Sequence, residues 1–530
     1  MLYRIIGLKL KPDESDNKLT ALAARELSVR PDQICSLRIY RKSLDARRDR
    51  VLYQYTVDVT LKTKPISVSE KVQIMEAEYG YSIPSLSVAG RRPVVVGFGP
   101  AGMFCALVLA RAGLRPLVIE RGRRVEDRVR DVERFFNLAL LDEESNLCFG
   151  EGGAGTFSDG KLNTLLKDKN ERGRFVLEEL VKAGAPEEIL YLNKPHVGTD
   201  RLRVAVKSIR QEIERLGGEV RFETKMFSLV SEKGALKAIK AEGRNGVEEI
   251  ACDALFLAIG HSARDTFRCL REHGIPMEKK IFSVGVRIEH LQSSIDHAQL
   301  GDAREKYSLP AAEYKLAVPT RTGKTLYTFC MCPGGRVVAA TGTESSVVTN
   351  GMSFYARSEE NANSALLLNV LPEELGEDLF AGFDFQERLE KKAFELGGGD
   401  YKAPCQCVGD LLKGEKSAVL GCVNPTYSRG VTPTDLSRLF PKDYVFAMRE
   451  GIELMGRKIR GFDAPDAVLT GVESRATCPL RILRGDDMQS SLRGLYPIGE
   501  GAGYAGGIMS SAMDGMKAAE AYMIGLENHL

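Results

Sequence analysis

Gly97, Gly99 and Gly102 form G-x-G-x-x-G between an apolar run, Val94–Val96, and a helical pattern, Met103, Ala106, Leu107 and Ala110. Gly97 permits a tight turn, Gly99 lets backbone approach a pyrophosphate, and Gly102 lets a helix pack against the sheet. Pro100 and Ala101 open that helix, whose N–H groups and positive dipole end suit phosphate. Glu120 lies 21 residues beyond Gly99 and ends the next apolar run, Leu117–Ile119. A carboxylate there can accept hydrogen bonds from a ribose diol, and it disfavours a 2′-phosphate. The expectation is FAD or NAD rather than NADP. Arg121 heads a charged helical stretch to Asp142. Arg121 is the candidate to reach phosphate, and most of the arginines after it (Arg123, Arg124, Arg128, Arg130 and Arg134) read as surface.

A second cluster holds Gly150, Gly152, Gly153, Gly155 and Gly160, too many glycines for regular structure. Such backbone can lie against a flat ring or wrap a pyrophosphate. Thr156 and Ser158 offer hydroxyl donors and Lys161 a charge; the interleaved Phe149, Phe157 and Leu162 argue against a solvated linker. Further on, the apolar strand 254–259 ends at Gly260, and His261 after it either neighbours the dinucleotide or caps the next helix. Near the end, Leu495–Ile498 leads into Gly499 and Glu500, and Gly506, Gly507 and Ile508 open a last helix. Its start again aims backbone N–H groups at a cofactor. Glu500 is the candidate for a ribityl hydroxyl; a glycine packing turn is the plain alternative.

The candidate catalytic residues are Arg287 and Cys330. Residues 281–290 alternate strictly, with Ser283, Gly285, Arg287 and Glu289 on one face. That face suits a pocket wall or a solvated sheet equally, and Arg287 could grip a substrate carboxylate with two hydrogen bonds. Cys330-x-Cys332 and Cys405-x-Cys407 match neither the usual zinc spacing nor the C-x-x-C redox motif. Packed thiols, a redox relay and a four-thiolate site are the alternatives; no metal is expected, and Cys330 is the thiol carried forward. Cys148, beside the glycine cluster, either neighbours the cofactor or is packed.

These residues need elements to hold them. The predicted fold class is α/β: an FAD-binding Rossmann-like domain with a β-meander over 226–250, an inserted antiparallel α+β substrate domain, and a small N-terminal ferredoxin-like α+β domain. The boundaries are 1–90, 91–270 and 271–455, with 456–530 returning to the FAD-binding domain. In the first unit, strands are expected at 2–10, 34–42 and 51–61, with helices at 19–27 and 69–79. In the inserted unit, helices are expected at 359–370 and 385–396. The chain has 530 residues, 43% hydrophobic, with net charge +2. Such a balance gives no pull toward nucleic acid, and no apolar run is long enough for a membrane span. Eleven scattered cysteines and the lack of a signal-peptide core point to the cytoplasm.

In their order, these motifs resemble FAD-dependent oxidoreductases of the glutathione-reductase superfamily in two-domain form. More closely, the chain resembles a bacterial family of FAD-dependent dehydrogenases, through Gly150–Leu162, Lys194–Asp200, Phe282–His290, Cys332–Gly335, Asn350–Ser353 and Gly499–Gly507. The resemblance implies FAD on Gly97–Gly102, Glu120, the 150–161 loop and Gly499–Ile508, although that family's usual acid is Asp where this chain has Glu500. It implies no substrate; bound FAD would pass a hydride between a small organic substrate and flavin N5, and the last helix is the candidate dipole near N1. A second complete G-x-G-x-x-G is lacking, so electrons come from the substrate or from another donor or acceptor such as a transiently docked NAD(P)H. The other readings are a flavin-dependent RNA-modifying enzyme using Arg47, Arg48 and Arg50, and a non-catalytic flavoprotein redox sensor.

Overall fold

The computed structural model describes residues 1–46, 51–65, 67–75, 80–84, 86, 92–164, 166 and 168–527. Its centre is a five-stranded parallel sheet in the order Leu495–Pro497, Leu255–Leu257, Val94–Val96, Leu117–Ile119, Glu219–Arg221. The inner strands are apolar on both faces because helices cover one side, and strands 225–251 with the helix Arg264–Glu272 cover the other. The helix Pro100–Arg111 leaves the middle strand and packs against the last helix, Ile508–Glu527. The approach is close: a Cβ on Gly515 would lie 2.1 Å from the Ala101 carbonyl oxygen. The expected meander is present as Lys225–Glu232, Ala235–Gly243 and Gly246–Ala251.

A seven-stranded, mainly antiparallel sheet forms the second body. Its order is Ala317–Pro319, Thr325–Cys332, Asn361–Val370, Phe282–Leu291, Val468–Glu473, Ala403–Cys407, Val431–Pro433. Two sequence expectations change here. Residues 359–370 are a central strand rather than a helix, because Leu366, Leu367 and Leu368 are buried on both faces and no alternation shows. Val468–Glu473 pairs inside this sheet, so the chain returns to the first body after 473, later than the expected 455. The helix expected at 385–396 runs from Ala381 to Gly397.

The polar face of Phe282–Leu291 is neither pocket wall nor solvated. The hairpin Arg336–Ala339 with Thr349–Met352 covers part of it, so closely that a Cβ on Gly351 would lie 2.1 Å from Arg287 Nη2. Glu289 meets the covering chain instead, accepting from Thr426 N at 3.0 Å and from Asn361 Nδ2 at 3.1 Å.

The small N-terminal sheet runs Ile34–Asp45, Leu52–Leu61, Leu2–Leu10, Val72–Met75, with the helix Lys18–Glu26 on one face. The helix expected over 69–79 is instead, in its described part, an antiparallel edge strand on Leu2–Ile5. Edge pairing outweighs helical spacing there. The basic stretch at Arg47, Arg48 and Arg50 lies outside the described residues. No helix among the described residues is long and apolar enough to cross a membrane.

Candidate functional site

The glycine turns meet at one cavity of about 1220 Å³ between the two bodies. Gly97, Gly99, Pro100, Ala101, Glu120 and Arg121 form part of its wall, with Gly153, Ser158 and Lys161. Gly260, Glu500, Gly506, Gly507 and Ile508 complete that side. Gly102, Gly152, Thr156, Gly160 and Gly499 stand behind the wall and pack. A Cβ on Gly102 would lie 2.0 Å from the Gly97 carbonyl, and one on Gly499 2.7 Å from Ala101 Cβ. Gly97 has φ +97°, and a Cβ there would meet the Ala258 carbonyl at 2.3 Å.

Glu120 does more than its sequence role suggests. Its carboxylate accepts from the backbone N–H groups of Phe98 at 2.8 Å, Gly122 at 3.0 Å and Gly150 at 2.9 Å. It therefore ties the first glycine turn to the second. A carboxylate has about four lone-pair sites, so one remains for a ribose hydroxyl.

Arg128 is the organiser the sequence hid. Expected at the surface, it is fully buried, and burial pulls its guanidinium down to about 10, still charged at neutral pH. It donates to the carbonyls of Asn146 at 2.8 Å, Glu151 at 2.7 Å, Gly153 at 2.9 Å and Leu147 at 3.1 Å. Glu151 in turn accepts from Val125 N at 2.7 Å and Arg210 Nε at 2.6 Å. The glycine loop is thus held from below while its upper side borders the cavity. Arg121 lies across the Phe149 ring, 4.4 Å from its centroid, and pairs with Asp265 at 2.9 Å.

At the other end, Gly499 N donates to Asp514 at 2.8 Å, and Arg484 grips Asp514 at 2.7 and 3.0 Å. A Cβ on Gly260, Gly506 or Gly507 would meet nothing within 4 Å. His261 lies in the wall and is only 4% exposed. Its Nε2 is 3.1 Å from Gln386 Oε1; its Nδ1 is buried without a hydrogen-bond partner, 3.6 Å from Glu500 Oε1.

The facing wall takes Cys330 and Glu473 from the seven-stranded sheet, Thr349 from the covering hairpin and Arg475 from the chain just after Glu473. Arg287 does not reach the cavity, which corrects its expected grip on a substrate carboxylate. It is fully buried, and its donors are committed to Asn363 at 2.8 Å, Glu473 at 3.0 and 3.2 Å and the Cys330 carbonyl at 2.7 Å. Burial lifts the Glu473 carboxyl above its ordinary range against the pull of Arg287. Lys161 donates to Asp159 at 3.0 Å and to the Met331 carbonyl, so its charge serves the cysteine segment. Burial pushes the Asp159 carboxyl up, but Lys161 and Arg357 outweigh it and hold it well below the usual range. Arg475, which no motif marked, grips Glu390 at 3.0 and 2.8 Å and reaches Ser262 at 3.1 Å. The two C-x-C pairs do not converge: three strands separate Thr325–Cys332 from Ala403–Cys407.

The cavity fits a long nucleotide cofactor. Glycines leave room along the wall, and the helices beginning at Pro100 and Ile508 turn their positive ends toward it. The orphaned His261 Nδ1 and the Glu500 carboxylate are acceptors for hydroxyl groups.

Comparison with known proteins agrees. A family model described as "FAD-dependent protein, C-terminal domain-like" matches residues 281–476, and a domain of unknown function matches residues 2–60. An uncharacterised protein of Clostridium beijerinckii is 46% identical over 529 residues, covering 98% of each chain. Among solved structures, a geranylgeranyl bacteriochlorophyll reductase-like protein from Thermoplasma acidophilum is similar at TM-score 0.37 and 13% identity, covering 82% of this chain and 78% of that one. The glycerol-3-phosphate dehydrogenase from Bacillus halodurans, complexed with FAD, gives TM-score 0.36 and 12% identity, with 82% and 65% covered. At these TM-scores the likeness carries no argument about function. The chain belongs to one family with the Clostridium beijerinckii protein, residues 281–476 match the FAD-dependent C-terminal domain, and its cofactor is FAD.

Proposed function

We propose that the protein is an FAD-dependent oxidoreductase that moves a hydride between a small organic substrate and flavin N5. One observation carries this reading: a single cavity has glycine turns and helix N-termini on one wall and ionisable side chains on the other. The cofactor, when bound, supplies the two-electron chemistry. Glu120 would hold a ribose hydroxyl through its remaining lone pair. Glu500 and His261 Nδ1 would take hydroxyl groups further along. The end of the helix beginning at Ile508 would favour negative charge beside it.

Hydride transfer leaves a proton to be placed. Glu473, lifted by burial, and Cys330, whose thiol is held below its usual value, are the cavity groups placed to take or give it. Arg287 keeps Glu473 and the Cys330 carbonyl in position rather than touching substrate.

The test is to purify the full chain, record its visible spectrum and screen reductants without oxygen. The expected result is a flavin spectrum that bleaches with a small organic donor or a nicotinamide. A preparation that neither carries nor takes up FAD would overturn the reading, as would bound FAD that no donor reduces.

A further inference from the structure

The strand Thr325–Cys332 carries one residue more than its partner. Phe329 sits opposite Ala365 and Cys332 opposite Asn363, so three steps meet two. The extra residue makes a bulge, which bends the strand. At the bulge Cys330 has φ +43°, a conformation costly for any residue with a side chain. Strain of this kind collects at functional sites.

The bulge folds Cys332 back onto Cys330. In a flat strand, residues i and i+2 are separated by about 6.6 Å at Cα, close to the upper limit for a disulfide. Here Cys332 Sγ donates to the Cys330 carbonyl at 3.3 Å, so its thiol folds back onto the preceding cysteine. Cys330 is partly exposed and lines the cavity; Cys332 is buried behind it, its Sγ 3.3 Å from the Cys330 carbonyl and 3.6 Å from Arg287 Nη2. The hydrogen bond from Cys332, then the charges of Lys161 and Arg287, hold the Cys330 thiol below its usual value against burial. Cys332 is pushed well up by its bond to Cys330 and by burial. The sulfur that borders the cavity is the accessible nucleophile, and the one behind it is placed to follow.

We propose that Cys330 and Cys332 are a nucleophile and its resolving partner, which reduce a small disulfide admitted to the cavity. The Cys330 thiolate attacks one sulfur of R–S–S–R, forming a mixed disulfide and releasing RS⁻. Cys332 then loses its proton, attacks Cys330 Sγ and releases the second RS⁻. The balance is one substrate disulfide reduced to two thiols and one Cys330–Cys332 disulfide formed. Reopening that bond takes two electrons and two protons from a donor of the flavin class, so turnover rests on the oxidoreductase reading above. A short C-x-C ring is strained and easily reduced, as a catalytic rather than structural disulfide should be.

The test uses the full-length, FAD-loaded protein with the exposed thiols removed (Cys35→Ser, Cys422→Ser) and 2-hydroxyethyl disulfide as probe. Peptide mass mapping should find a Cys330–Cys332 bond and two equivalents of released thiol. In Cys332→Ser the mixed disulfide should accumulate on Cys330, and in Cys330→Ser Cys332 should stay unmodified. Lys161→Met should slow labelling of Cys330 at neutral pH by about tenfold and move its pH profile upward. No adduct on Cys330 in Cys332→Ser, or labelling no faster than at the buried Cys105, would overturn the proposal. The flavin absorbance of the same samples separates the two readings: bound FAD with an inert Cys330 sinks the dithiol alone, whereas absent FAD sinks the flavin assignment.

Discussion

Arg128 never meets solvent, and its charge is spent on main-chain carbonyls of the loop beneath the cavity. Truncating it leaves several buried acceptors unpaired, so Arg128→Ala should cost about 3 kcal/mol or more. Denaturant midpoints measure that loss, and FAD retention should fall with it. Glu390 is the acidic counterpart, buried between Arg475 and Arg264. Burial raises its carboxyl, but the two guanidiniums outweigh burial and hold it well below the ordinary range. The sign follows: the stabilisation is complete above the ordinary carboxyl value of about 4.3 and is lost as pH falls toward the depressed folded value. Glu390→Gln should therefore cost about 3–5 kcal/mol at neutral pH, and acid titration of its stability should be shallower than in the parent. Neither residue was legible as structural in the sequence. Arg128 sits in a run of charges that reads as surface, and its partners lie 18 to 25 positions away, where no helical spacing points.

The elements were legible where glycine punctuates short apolar runs. Val94–Val96, Leu117–Ile119 and Leu255–Leu257 are buried on both faces, and a turn or an acid ends each one. Asn361–Val370 carries no such punctuation and is buried on both faces, so its period was misread. The glycines themselves divide into two kinds. At Gly97, with positive φ and the Ala258 carbonyl at 2.3 Å from any Cβ, alanine should destabilise the turn and abolish FAD retention. At Gly506 nothing lies within 4 Å, so Gly506→Ala should leave thermal stability unchanged, while Gly506→Trp should fold but retain less FAD. Unfolding curves and flavin absorbance on the same samples distinguish the two behaviours. Strand order alone would not have revealed which glycines pack and which face the cavity.

At the scale of the whole molecule, the N-terminal sheet is a docked part of the site. Its strand Ile34–Asp45 lies along residues 191–193: Lys42 N donates to the Tyr191 carbonyl at 2.7 Å, and Asn193 N donates to the Lys42 carbonyl at 2.9 Å. Arg41 Nε adds a bond to Asn193 Oδ1 at 2.9 Å. Tyr40 and Arg41 thereby join the cavity's rim. The composition of residues 1–90 could suggest a separate domain, but only the assembled chain shows that its strand borders the same space as the glycine turns.

That seam sets up a reciprocal dependence. Where a guest in the cavity touches Tyr40 or Arg41, it favours the docked sheet, and docking then favours the guest by the same amount. Deuterium uptake at the amides of Lys42 and Asn193 should slow when FAD is loaded, and weakening the seam by Arg41→Ala or Asn193→Ala should loosen the grip on FAD.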